Sequence, residues 1–254
     1  MAVVLSTLRV FPQNIITFAG GGAASTAAPY GDGGPASAAS LLGASQIAKD
    51  ADGNYYIADT FHMAIRKVTP AGIISTFAGG AAPGLPVEGG KAATTATGPV
   101  AGVAVIDNAL YFSCGYNAIR KIDLATTIIT TVAGSAQFNI SSILGGYSGD
   151  GGPALQATMN MPGRLATNGK NLLYFDDFLN SRIRVIDVVA GTIKTAVGNG
   201  TQTTITRQGA NGIDARSYPF LSLSPPFHGG PSREFVSCRW ASSDSKGGRG
   251  HQHN

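Results

Sequence analysis

Ile65-Arg66-Lys67-Val68, Ile119-Arg120-Lys121-Ile122 and Ile183-Arg184-Val185-Ile186 are three copies of one basic strand arm, set 54 and then 64 residues apart. Behind each arm stands an aliphatic run closed by Ala-Gly or Val-Gly, at 73–79, 128–134 and 193–198. Self-similarity at a spacing of this order marks stacked supersecondary units rather than one irregular domain. Outward from the arm, every copy has the same order. A Gly- and Ala-rich stretch is followed by an apolar run, a turn, a second apolar run, the arm and the closing run. In the first copy the stretches 46–50, 55–59, 64–69 and 73–78 are strand-length and rich in Ile, Val, Tyr and Thr. Asp52-Gly53-Asn54, Thr60-Phe61-His62 and Pro70-Ala71-Gly72 separate them with turn residues, since Gly accepts positive φ and Pro presets φ at the first turn position. The second copy gives strands at 101–106, 110–113, 118–123 and 128–133, and the third at 164–167, 172–176, 182–187 and 192–197.

A four-stranded meander of this size cannot bury its own apolar faces, so the copies must stack face to face around an axis. The expected fold class is therefore all-β, a partial β-propeller. Its three full four-stranded blades fall at about 44–79, 98–134 and 162–198, with a partial N-terminal blade at about 7–20. The last assignment rests on Leu8-Arg9-Val10 and Ile15-Ile16-Thr17-Phe18-Ala19-Gly20, which track 65–79. Asn211-Gly212-Ile213-Asp214-Ala215-Arg216 followed by Tyr218-Pro219 resembles the opening of another copy. After Phe220 the pattern stops, and 221–254 read as a disordered or unrelated irregular tail.

Composition agrees. With 35 Gly, 13 Pro and only 13% charged residues in 254, the chain describes short strands and tight turns, not charged surface helices. The net charge of +4 is uneven: residues 1–200 contribute +1 and residues 201–254 contribute +3. The repeats thus lack the clustered cations that a phosphate backbone requires, and nucleic-acid binding is not expected of them. Cys114 and Cys238 form neither a disulfide framework nor a metal spacing. Residues 1–10 lack the leader of a signal peptide, and no apolar run is long enough to span a bilayer. Asn139 and Asn199 are glycosylation triplets that matter only in a secreted protein, and the compartment stays open.

Gly31-Asp32-Gly33-Gly34-Pro35-Ala36, the run Asp52 through Thr60, the arm His62 through Val68 and the closing run together resemble the NHL repeat. Gly149-Asp150-Gly151-Gly152-Pro153-Ala154 and Arg182-Ile183-Arg184 repeat the signature. The second copy departs from it, with Glu88-Gly89-Gly90-Lys91 for the glycine motif and Ser113-Cys114 where the others carry Asp59 and Asp176. The resemblance covers roughly residues 7–200. It implies a propeller, usually of six blades, that serves mainly as a binding scaffold. This chain carries about half that number and reads as a fragment, with an open blade edge through which it could self-associate.

In a meander the second turn and the connection to the next blade emerge on one face, and long loops on a rigid frame are favoured places for binding. That face collects Tyr30, Phe61, His62, Tyr116, Tyr147 and Phe178, aromatic anchors for a protein partner. The competing reading is that these rings pack the loops onto the blades. Asp59 with Arg66, and Asp176 with Arg184, are expected as ion pairs within blades, Arg120 occupying the same column. Asp32 and Asp150 admit a calcium reading, but one carboxylate per loop falls short of six to eight oxygens, and an Asx-type turn explains them without a ligand. His62 is the only histidine of the repeats, and His251 and His253 lack a third ligand, so no metal, cofactor or catalytic set is expected. Residues 163–170 fail the spacing of a phosphate loop. The alternatives are a propeller-type hydrolase or lyase with a metal in its central channel, and a truncated gene product without independent function.

Overall fold

The computed structural model describes residues 15–25, 28–80, 87–115, 117–134 and 145–201, all within the unit Met1–Ser222. The described strands form three sheets, each a four-stranded antiparallel meander. The first contains β1 (Ala44–Lys49), β2 (Tyr55–Asp59), β3 (Ala64–Val68) and β4 (Ile74–Gly79). The second contains β5 (Val100–Ile106), β6 (Ala109–Cys114), β7 (Ala118–Asp123) and β8 (Ile129–Ala133). The third contains β9 (Pro162–Thr167), β10 (Leu172–Asp177), β11 (Arg182–Asp187) and β12 (Thr192–Val197). The twelve strands expected of the three full blades are all present, shifted by a residue or two at their ends. The fold is a partial β-propeller with three full blades.

Alternation within the strands explains the stacking. Tyr56, Ala58 and Ile65 leave one flank of the first sheet and meet Leu110, Phe112 and Ile122 of the second in one buried cluster. Tyr111 and Ile119, on the opposite flank of the second sheet, meet Leu173, Phe175 and Ile186 of the third. The period-2 pattern of each middle strand thus supplies apolar residues to both neighbours, as expected of sheets buried on both faces.

The innermost strands converge, β5 packing against both β1 and β9. Gly102 makes this possible: a Cβ there would lie 2.4 Å from the Gly163 carbonyl oxygen and 2.9 Å from the Leu165 nitrogen. Through the gap, Gln46 of β1 reaches the main chain of β9. Its Nε2 donates to the Leu165 carbonyl (2.5 Å), and the Leu165 N–H donates to its Oε1 (2.9 Å).

The glycine motifs lie along the outermost strands. Gly33 N–H donates to Ile74 O and Ile74 N–H to Gly34 O, with the same exchange at Gly89, Gly90 and Ile129 and at Gly151, Gly152 and Ile193. Pro35, Lys91 and Pro153 bridge Ile73, Ile128 and Thr192. Each loop then makes a 3₁₀ turn (Ala36–Ala38, Ala92–Thr94, Ala154–Gln156) before the next blade begins. The outer rims are therefore partly covered.

Of the expected N-terminal partial blade, residues 15–20 are described and join no strand ladder. They run beside the first 3₁₀ turn instead, Gly20 N–H donating to Ala36 O and Gly21 N–H to Ser37 O. Residues 1–14, Cys238 and the tail beyond residue 201 lie outside the described residues.

Candidate functional site

The three arm arginines, Arg66, Arg120 and Arg184, are fully buried. A guanidinium taken out of water is tolerated only when paired and hydrogen-bonded, and each is held by the loop that precedes its own blade. Arg66 NH2 donates to Asp32 Oδ1 (2.5 Å) and its NH1 to the Ser40 carbonyl (3.1 Å), with Asp59 Oδ2 at 3.4 Å. Arg184 donates to Asp150 Oδ1 through Nε (3.1 Å) and NH2 (2.8 Å), and to the Thr158 and Ser148 carbonyls (2.7 and 2.8 Å). Arg120 donates to Glu88 Oε2 (2.8 Å).

The acid in each loop has a second partner that the sequence reading missed. The outer edge of the outermost strand faces this loop, so the N–H two residues beyond Ile74, Ile129 and Ile193 points the same way and donates to the loop carboxylate. The donors are Thr76 to Asp32 (2.9 Å), Thr131 to Glu88 (2.9 Å) and Thr195 to Asp150 (2.8 Å). The signal was a Thr recurring at 76, 131 and 195. Asp32 and Asp150 are thus rivets between loop, arginine and strand. Glu88 performs the same task with a longer side chain, so the second copy departs in residue type and keeps the charge.

One expected pairing is corrected. The carboxylate beside Arg184 is Asp177 (3.5 Å), not Asp176. Phe175 lies opposite Arg184 and β10 alternates without a break against β11, so Asp177 shares the Arg184 side and, like Asp59, takes the last ladder position before the turn. The irregularity there lies in β9, which has an extra residue between Pro162 and Leu165. Cys114 occupies that position in the second blade, opposite Ala118, and is buried.

Burial raises the Asp150 carboxyl, but the hydrogen bonds from Thr195 and Tyr147 and the Arg184 charge outweigh it, and its pKa lies below the usual value. Glu88 is lowered in the same way: burial opposes, while Thr131 and Arg120 prevail. At Asp177 burial wins over the bonds from Asn160 and Asn180 and the Arg184 charge, and the pKa is raised. The outer acid of the third blade is therefore the firmly ionised one.

His62 stands in the turn between β2 and β3 and is buried. Its Nδ1 lies 2.7 Å from Asp59 Oδ2, its Nε2 2.6 Å from the Ser25 carbonyl oxygen, and Tyr30 stacks on its ring at 4.0 Å. Asn180 does the same in the third blade, its Nδ2 donating to Asp177 Oδ1 and to the Gly146 carbonyl, both at 2.8 Å. Both residues tie the turn to the incoming loop. Residues Met63, Asn117 and Ser181 end these turns at φ of 51°, 58° and 49°, the left-handed region that non-glycine residues seldom enter.

Of the expected aromatic anchors, the structure brings Tyr30 and His62 together and half-buries Tyr30 and Phe178. Phe61 is 52% exposed and closes over Gly43, where a Cβ would meet its ring. Tyr147 lies on the third blade's rim, its OH bonded to Asp150 (2.8 Å) and its ring under Arg182 at 3.7 Å. Tyr116 lies outside the described residues. The same turns and the connection before β9 also expose Met63, Met161 and Leu179, which the sequence reading did not single out. No group of three or more His, Cys, Asp or Glu among the described residues could hold a metal ion. No helix among them is long and apolar enough to cross a membrane.

No protein-family model matches the chain, and no curated protein matches it. Among solved structures, it is similar to a protein of unknown function from Bacteroides thetaiotaomicron, with 27% identity over 49% of this chain and 30% of that one (TM-score 0.40). It is also similar to an auxiliary nutrient binding protein from Bacteroides ovatus, with 17% identity over 63% of this chain and 37% of that one (TM-score 0.45). A third similar structure is a chain of a nidogen/laminin complex, with 13% identity over 59% and 46% (TM-score 0.40). The chain spans less than half the length of each.

Proposed function

We propose that this chain is a sector of an NHL-type propeller, occupying about residues 1–220, that acts as a protein-interaction scaffold through the face carrying its β2–β3 and β10–β11 turns. The observation that carries the reading is the contrast between frame and surface. Phe61, Met63, Met161 and Leu179 are each at least 42% exposed, while the turns beneath them are pinned by buried Asp59 and Asp177. Apolar side chains on a rigid support meet a protein partner with little ordering cost. Within each blade the loop acid is held by the arm arginine and the strand threonine, which makes the incoming loop part of the frame.

The test is proximity labelling in cells with the wild-type chain and a Phe61→Asp/Leu179→Asp double variant. Proteins labelled by the wild type should disappear with the variant while its circular dichroism stays unchanged. An identical labelled set would refute the reading.

Self-association is supported by a separate observation. Ile65 and Ile119 are fully buried against the next blade, whereas Ile183, in the same column, is only partly covered. Light scattering that shows a monomer at every concentration would exclude it.

A further inference from the structure

We propose that the rim between the second and third blades carries a socket for an aromatic side chain with a neighbouring carboxylate, presented by a protein partner. The proposal is independent of the turn-bearing face, because it rests on a different surface and a different set of residues.

The repeat itself shows what the socket is shaped for. The bulge in each outermost strand re-aims one side chain: Phe77 in β4, Val132 in β8 and Ala196 in β12, each following the threonine that binds the loop acid. Between the first and second blades, Phe77 packs edge-on against Tyr56, with ring centroids 5.0 Å apart and planes at 64°. The Lys67 ammonium lies 5.9 Å from both rings. Leu124 completes that junction.

Between the second and third blades the frame is the same and the filling is smaller. Tyr111 and Lys121 face each other across β6 and β7 as Tyr56 and Lys67 do across β2 and β3. Val132 replaces Phe77, and Val188 replaces Leu124 against the cluster. An open cleft of about 200 Å³ results, lined by Tyr111, Lys121, Val132, Leu155, Val188 and Gly191. An apolar cavity of roughly 150 Å³ already accepts a benzene ring.

Leu155, 56% exposed, stands at its mouth. Tyr111 offers a buried ring for edge-to-face contact, and Lys121 lines the same cleft with an ammonium whose nearby acid is Asp123, on its own strand. A phenyl ring thus finds the partners that Phe77 has, and an adjacent carboxylate finds the ammonium.

The probe is N-acetyl-L-phenylalanine, titrated at millimolar concentration into the ¹⁵N-labelled full chain, with N-acetyl-L-alanine and the amide of N-acetyl-L-phenylalanine as controls. The acid should shift the amides of Lys121, Val132, Leu155 and Val188, and the alanine control should not. Val132→Phe, which supplies the ring from within, should weaken binding at least tenfold. Lys121→Gln should reduce the preference for the acid over the amide at least threefold. Val188→Leu, a milder filling, provides the same test should Val132→Phe fail to fold. Shifts mapping away from the cleft, or unchanged binding by the filled variant, would overturn the socket.

Discussion

Arg66 sits between two carboxylates, Asp32 and Asp59, whereas Arg120 has Glu88 on one side and Cys114 in the place of the second acid. Removing a buried cation strands whatever anions it held, at about 3–5 kcal/mol for a buried pair. Arg66→Met should therefore destabilise more than Arg120→Met, by about 3–5 kcal/mol against a smaller loss, read as the shift in urea midpoint. Equal losses would show that the second carboxylate does not matter. The outer acids add a pH dependence with a definite sign. The native pKa of Asp150 is below its ordinary 3.8 and that of Glu88 below 4.5. Their stabilisation is thus complete above those values and is lost as pH falls through the lower native ones. Asp150→Asn should flatten the fall in stability below pH 3.8, followed by acid-dependent circular dichroism. At this scale the sequence was only partly legible. The recurring arginines were plain, but the Asp176-Asp177 doublet concealed which carboxylate faces Arg184, because the choice turns on the register: Phe175 lies opposite Arg184, and the two-residue alternation of β10 then puts Asp177 on the same side. Glu88 was read as a departure because motif matching weighs residue type, while the site requires only a charge that reaches.

At the scale of strands and loops, the two-residue period and the turn residues predicted all twelve described strands, since both are local properties. Long-range placement was not local and was not read. The glycine motif looked like a face loop with an Asx turn, yet it pairs with the outermost strand, because Gly33 and Gly34 present main chain to Ile74 with no side chain between. Gly102 makes the same point more sharply. Gly102→Ala sets a Cβ against the main chain of β9 and should cost about 1–3 kcal/mol as overpacking, measured by chemical denaturation. Gly33→Ala, at φ 81° but facing open space, should cost about 1–2 kcal/mol, the penalty of a left-handed conformation without a clash. A larger loss at Gly33 than at Gly102 would contradict the close approach of β5 and β9.

For the whole molecule, each blade is stable because its neighbours cover it. Phe112 is fully buried between the first and second blades, and Phe112→Ala should cost about 3–5 kcal/mol. Its loss should also raise hydrogen exchange in β2 and β3 of the other blade, since the cluster is shared. The convergence of the inner strands is the claim on which this stacking depends, and one amide reports it. The Leu165 N–H donates to the side chain of Gln46, 119 residues away, and that bond exists only if the first and third blades approach a common axis over Gly102. Amide exchange of Leu165 by NMR, in the wild type and in Gln46→Ala, is therefore the most direct measurement. The Leu165 amide should be protected in the wild type and exchange at least tenfold faster in the variant, while the β10 and β11 amides stay unchanged. Identical exchange of Leu165 in both proteins would mean that the three blades do not converge.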